Sequence, residues 1–151
     1  MQKITPMLWY MKDAAEEAAQ YYVSFIKDSK ITGKMVDSNG KTITVSFELA
    51  GQEFVTLNGN PQFEFNHSIS FVINCDSQEE VDFYWNKFAD GGEPVMCGWI
   101  KDKYGVSWQV TPTILVEMLK DKDKAKAKRV FEAMQNMIKI DIPTLKKAYE
   151  G

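Results

Sequence analysis

The sequence has one histidine, two cysteines and no marked surplus of either charge among its 151 residues. Each shortage excludes something. With 18 basic against 21 acidic residues the net charge is -3, which gives no electrostatic reason to expect nucleic acid or an anionic membrane as partner. No apolar run approaches the ~20 residues of a membrane span. Cys75 and Cys97 lack metal-type spacing, and without a secretory leader the expectation is two reduced thiols in a cytoplasm. A glycine-rich turn between a strand and a helix, as nucleotide-type cofactors need, is also missing. The length suits one domain that buries a proper core without staples.

What the chain does have is an internal repeat, and a repeat decides the fold before anything else. A shift of 63 positions carries Asp13 onto Asp76, Glu16 onto Glu79, Glu17 onto Glu80, Tyr21 onto Tyr84 and Phe25 onto Phe88. Both copies place an apolar run before the aspartate and an aromatic pair in the helix that follows, Tyr21-Tyr22 and then Tyr84-Trp85. The first copy reads as a strand over 4–11 with Pro6 near its start, where an edge tolerates a missing donor. A helix then runs to about Lys27, with Asp13 and Glu16 resembling a capping box. Ala18, Tyr21, Tyr22 and Phe25 follow the spacing of a buried helical face.

Ser38-Asn39-Gly40 between two alternating runs predicts a hairpin over 31–49, and Phe54–Leu57 adds a further strand. Asn58-Gly59-Asn60-Pro61 punctuates the chain as the boundary between copies. In the second copy a strand is expected over His67–Asn74, then a helix opened by Ser77 and Glu80 as a capping box and closed by Gly91-Gly92. Strands near 95–101 and 106–111 follow, leaving this copy with one strand lost or reduced. Three helices are predicted after Pro112, near 114–119, 122–137 and 142–149, the last with Pro143 in its first turn. The alternating charges of Asp121–Arg129 read as a solvated helix face, because Asp121 and Asp123 dilute the basic residues.

Two β-α-β-β-β units in tandem, with the phrases ITPMLWYMKDAAEEAAQYYVSFI at 4–26, FELAGQEFVTLNGNPQFEFNHSISFVINCDSQEEVD at 47–82 and CGWIKDKYGVSWQVTP at 97–112, resemble the vicinal oxygen chelate superfamily. That superfamily holds the glyoxalase, bleomycin-resistance and dioxygenase proteins. Within it the chain is most similar to the PhnB-like group, whose domain carries the name 3-demethylubiquinone-9 3-methyltransferase. The tail MIKIDIPTLKKAY at 137–149 fits the same group.

The resemblance implies an α+β fold in which the tandem βαβββ units form an incomplete, cup-shaped mixed β-sheet with outer helices. The expected organisation is one domain over 1–112, made of units at about 3–60 and 65–112, with a C-terminal helical extension over 113–151. It also implies a homodimer and, in catalytic members, a divalent metal that polarises adjacent substrate oxygens. The resemblance places a ligand near His67 and near Gln109 in the second unit, while the first unit offers only Ile4 or Pro6 and Leu57 or Asn58 at the matching places. Two ligands of four, one a neutral amide, are fewer than a divalent site wants, so the expectation is no tightly bound metal; if one binds, His67 and Gln109 hold it.

The expected function is therefore a small-molecule-binding protein or an enzyme of the glyoxalase/bleomycin-resistance type. Two alternatives remain: a metal-dependent enzyme acting on a vicinal-oxygen substrate, and a ligand-free dimeric interaction module. Methyl transfer is disfavoured, because the β-α-β-β-β order is wrong for a doubly wound sheet. The candidate pocket-lining residues are His67, Gln109, Tyr10, Cys97 and Trp99. Cys97 reads as a reactive thiol or, preferably, a buried structural residue. Cys75, just before a helix N-terminus, reads as a core filler sooner than a reactive thiol. Trp99, Trp108 and Phe54 compete for the inner face, since alternation alone does not say which residues point inward.

Overall fold

The computed structural model of the chain describes residues 2–59 and 62–151, so Asn60 and Pro61 of the expected boundary lie outside the described residues. The chain divides into two compact units, Met1–Glu64 and Phe65–Gly151. Each holds one four-stranded mixed sheet with one parallel pair at its edge.

In the first unit the strands are β1 (Met7–Trp9), β2 (Lys30–Val36), β3 (Thr42–Leu49) and β4 (Gln52–Leu57), with helix α1 (Ala15–Phe25) between β1 and β2. Their order across the sheet is β1-β4-β3-β2. β1 lies parallel to β4 at the edge, where Pro6 still accepts a bond from Val55 N through its carbonyl. Alternation along β3 puts Val45, Phe47 and Leu49 on the buried side, and Phe47 stacks between Tyr22 of α1 and Phe54 of β4. Burying side chains of this size stabilises by about 1.5–3 kcal/mol each.

One expectation changes here. Asp13 does not cap α1: the cap position is Ala14, which has no side chain able to do so. The Ala15 N–H is instead satisfied by Asn58 Oδ1 at 2.8 Å, from 43 residues away, and Asn58 Nδ2 donates to Thr42 O. Asp13 pairs with Lys41 at 2.8 Å, and Glu16 accepts from Thr42 Oγ1 and Lys34 Nζ, so no capping box forms. A cap from a different strand satisfies the same orphan donor as a local one.

The second unit runs β5 (Phe71–Cys75), α2 (Gln78–Ala89), β6 (Glu93–Pro94), β7 (Trp99–Lys101) and β8 (Ser107–Pro112), in the order β5-β8-β7-β6. The reduced strand is β6, only two residues long. Ala15 and Gln78 open their helices 63 positions apart, as the repeat requires. Here the local cap does form: Ser77 Oγ accepts from Glu80 N, and Glu80 Oε2 accepts from Asp76 N. Asp76 itself contributes no cap; its carboxylate accepts from Thr113 Oγ1. Gly91 takes φ +75° directly after the α2 C-cap, a conformation that costs glycine little.

The strand expected to begin at His67 begins at Phe71. Asn66 Oδ1 accepts from Ser68 N and from the Ser68 hydroxyl, closing a side-chain turn that competes with the ladder and holds His67 outside the strand.

Helices α3 (Thr113–Leu119), α4 (Lys124–Gln135) and α5 (Ile142–Glu150) belong to the same compact unit. Leu115, Met118, Val130, Met137, Ile140 and Leu145 form their common core. Polar bonds dock this tail: Cys97 N and Gly98 N donate to Met137 O and Ile138 O, and Gln78 bonds both Ile140 O and Ile142 N. A Cβ at Gly98 would stand 2.9 Å from Val110 O, so only glycine lets the tail segment and β8 pass here. Among the described residues no helix is long and apolar enough to cross a membrane.

Candidate functional site

Register settles which face of the second sheet turns away from α2. Phe71 pairs with Trp108 and Ile73 with Val110 across the parallel edge, and Trp108 stacks on Phe88 of α2 at 4.6 Å. These positions therefore face the helix. The alternate positions, Val72, Asn74, Ser107, Gln109, Trp99 and Lys101, share the opposite, open face. Val72 there is half exposed.

Four polar side chains meet on the open face. His67, held by the Asn66 turn, brings Nδ1 to 2.9 Å from Ser107 Oγ. Its ring stands edge-on to Trp99, 6.2 Å between centroids. Two residues along β8, Gln109 Nε2 donates to Ser70 Oγ at 2.9 Å, and Gln109 is the cross-strand partner of Trp99. Lys101, on the same face, pairs with Glu93 at 2.8 Å. The result is a shallow face with one aromatic wall, two neutral polar tips and a self-compensated charge pair.

Of the residues expected at the site, the structure brings together His67, Trp99 and Gln109. Tyr10 lies in the first unit, 3% exposed, its hydroxyl 3.2 Å from that of Tyr22 in the core under α1. Cys97 is half-buried, adopts φ +57°, and holds the tail through its backbone N–H. Of the three aromatics competing for the inner face, Trp99 lies half-buried on the face away from α2, while Trp108 and Phe54 pack against other aromatics in their units' cores. Burial, with Glu80 and Asp76 nearby, pushes the Cys75 thiol up to about 12, so it is a core filler and no nucleophile.

Nothing in the sequence marks Ser70 or Ser107. A serine two residues before a glutamine on one strand carries no distinguishing signal until the register is known. Hollows among the described residues of the first unit include one of about 290 Å³ lined by Thr5, Thr32, Ser46, Phe47, Phe54 and Val55, and one of about 180 Å³ bounded by Asp13, Asp37, Lys41 and Asn58.

Do these residues suit a divalent metal? Among the described residues no group of three or more His, Cys, Asp or Glu side chains lies together in a way that could hold an ion. In the second unit one nitrogen of His67 is already bonded to Ser107, and Gln109 adds a neutral amide. That donor set is too small and too weakly charged for a transition-metal ion. The residues do not fit the metal that the wider superfamily implies.

Two βαβββ units, each with a parallel first-to-last strand pair, have the architecture of the vicinal oxygen chelate superfamily. Solved structures agree on the fold: the fosfomycin resistance protein FosX of Listeria monocytogenes superimposes with a TM-score of 0.57 at 18% identity, over 80% of this chain and 98% of that one. The Pseudomonas aeruginosa protein PA1353 does so with a TM-score of 0.62 at 17% identity, over 74% and 98%. Within that class the family is defined by sequence. The family model for 3-demethylubiquinone-9 3-methyltransferase matches residues 2–111. A PhnB protein of Bacillus cereus, described by the same activity, is 35% identical over 74% of this chain and all of its own, with a TM-score of 0.69. The chain belongs to this PhnB-like family. No curated protein matches it.

Proposed function

We propose that the chain binds a small organic molecule on the open face of its second sheet, without a tightly held metal, either as a binding protein or as an enzyme of the glyoxalase/bleomycin-resistance type. The observation that carries this reading is the convergence of Trp99, His67 and Gln109 on a face that no helix of the unit's repeat covers. An aromatic wall with a few placed polar groups matches the lining chemistry of small-molecule sites. Methyl transfer, which the family's name suggests, receives no support from the fold. Each sheet mixes parallel and antiparallel pairs, and the β1–α1 and β5–α2 turns contain no glycine to cradle a nucleotide-like cofactor. A homodimer and a cytoplasmic setting, where Cys75 and Cys97 remain thiols, belong to the same proposal.

Native mass spectrometry of untagged protein tests it. The expected spectrum shows a dimer carrying a sub-kilodalton adduct that is released on denaturation, with no stoichiometric divalent metal by elemental analysis. The adduct should disappear in Trp99→Ala and in His67→Ala. Retention of the adduct in both variants sinks the site assignment, and one firmly bound metal per chain sinks the metal-free reading.

A further inference from the structure

The open face has a polarity that its side-chain partners determine. Ser107 is 1% exposed, and a buried hydroxyl hydrogen needs an acceptor. Among the described residues its one hydrogen-bond partner is His67 Nδ1, and no buried side-chain polar atom is left unsatisfied. A protonated Nδ1 would leave the hydroxyl hydrogen of Ser107 with nothing to bond. Nδ1 must therefore accept, which puts the imidazole hydrogen on Nε2. Gln109 is held from the other side by the half-buried Ser70. Its Nε2 donates to Ser70 Oγ, which turns Oε1 away as an acceptor with no bond among the described residues. The two charged side chains of this face, Lys101 and Glu93, neutralise each other.

We propose that Ser107 and Ser70 are positioning residues that set His67 as a hydrogen-bond donor through Nε2 and Gln109 as an acceptor through Oε1, so that the site selects an uncharged ligand with an acceptor and a donor side by side. Carboxamides and hydroxy-carbonyl compounds are the chemical classes with that pattern, and a flat apolar body would lie along Trp99. This rests on the reading that the face takes a small molecule. It goes further by fixing the ligand's polarity and charge. A carboxylate presents only acceptors and would leave Gln109 Oε1 opposed to negative charge. An ammonium group presents only donors and would meet the Nε2 hydrogen head-on.

Because His67 is the single histidine, its ring nitrogens can be read without assignment work. The test is two-bond ¹H–¹⁵N correlation spectroscopy of His67 in alkaline buffer, followed by titration with benzamide, benzoate and benzylamine. The expected wild-type pattern is the Nε2–H form. Ser107→Ala should give a mixture of both forms, and Ser107→Thr, which keeps the hydroxyl, should restore the single form. Benzamide should bind most tightly of the three and lose roughly three- to tenfold in Ser107→Ala, the worth of one misdirected neutral hydrogen bond. An Nδ1–H form in the wild type overturns the orientation argument whether or not the variant folds. Equal binding of benzoate or benzylamine overturns the selectivity while leaving the small-molecule reading intact. If none of the three perturbs His67 or the Gln109 side-chain amide, both the selectivity and the reading beneath it fall.

Discussion

The two units of this chain are alike on one face and unlike on the other. On the helix side both bury a stacked aromatic pair between sheet and helix, Tyr22 on Phe47 in the first and Phe88 on Trp108 in the second. On the open side the first sheet sets Met7, Trp9 and Met35, each more than 40% exposed, beside Thr44 and Ser46, whereas the second sets Ser107 and Gln109 beside Trp99, with Val72 half exposed next to Gln109. A repeated unit must keep the packing that folds it, since interiors tolerate little change in volume. Its other face is under no such constraint. Residues free to acquire chemistry are therefore those at which the copies disagree, and they disagree at His67, Ser107 and Gln109.

The sharpest test of this comparison replaces Trp108 and Trp99 by alanine, one at a time. Trp108 is 4% exposed, stacks on Phe88 and donates from Nε1 to the buried Asp102 at 2.9 Å. Trp108→Ala should cost about 3–5 kcal/mol in denaturant unfolding. Trp99→Ala, nine residues earlier but on the open face, should cost about 1 kcal/mol or less and abolish ligand retention instead. Similar destabilisation by the two would mean that the open face is a packed interior.

The next comparison is between the helix starts. Asn58→Ala leaves the Ala15 N–H and the Thr42 carbonyl without their partner and should destabilise by about 1–3 kcal/mol. Ser77→Ala removes one local cap and should cost about 1 kcal/mol. Asp13→Ala, the residue that looks like the cap from sequence, should leave Tm without resolvable change, because its partner is the exposed Lys41. A larger loss from Asp13 than from Asn58 would restore the local capping box.

How far the sequence could be read follows from the range of the interactions involved. The strand-and-helix pattern that recurs after 63 positions, the alternation of β3 and the Ser77–Glu80 cap are each written in a short stretch of chain, and the elements they predict are present. Asn58 acting on Ala15, Ser107 on His67 and Ser70 on Gln109 span 43, 40 and 39 residues, and no local pattern carries them. Strand parity depends on the same long-range pairing. Trp99 and Trp108 are separated by an odd number of positions across a turn, and only the Ile100–Trp108 register puts them on opposite faces. Tyr10, a candidate for the pocket lining, is buried in the first unit's core with its hydroxyl beside that of Tyr22.

The smallest effect concerns a feature that the first unit has no counterpart for, the docked tail. Lys139 Nζ lies 2.6 Å from Asp82 Oδ1, and Gln78 Nε2 also donates to that carboxylate. The Lys139 ammonium, then Gln78, hold Asp82 below the ordinary aspartate value of 3.8. For a carboxyl lowered in the folded state, the contribution to stability is present above 3.8 and is lost as pH falls through the lower folded value. Acid should therefore loosen the tail before it unfolds the sheets. Amide exchange followed downward from neutral pH should show α5 losing protection below pH 3.8 ahead of β8, by a modest margin, since the pair is largely solvated. Asp82→Asn should remove the pH-dependent part of that difference while keeping the Gln78 contacts to Ile140 and Ile142. If α5 and β8 lose protection together in both proteins, the tail is held by its apolar core alone and the Asp82 pair adds nothing to its docking.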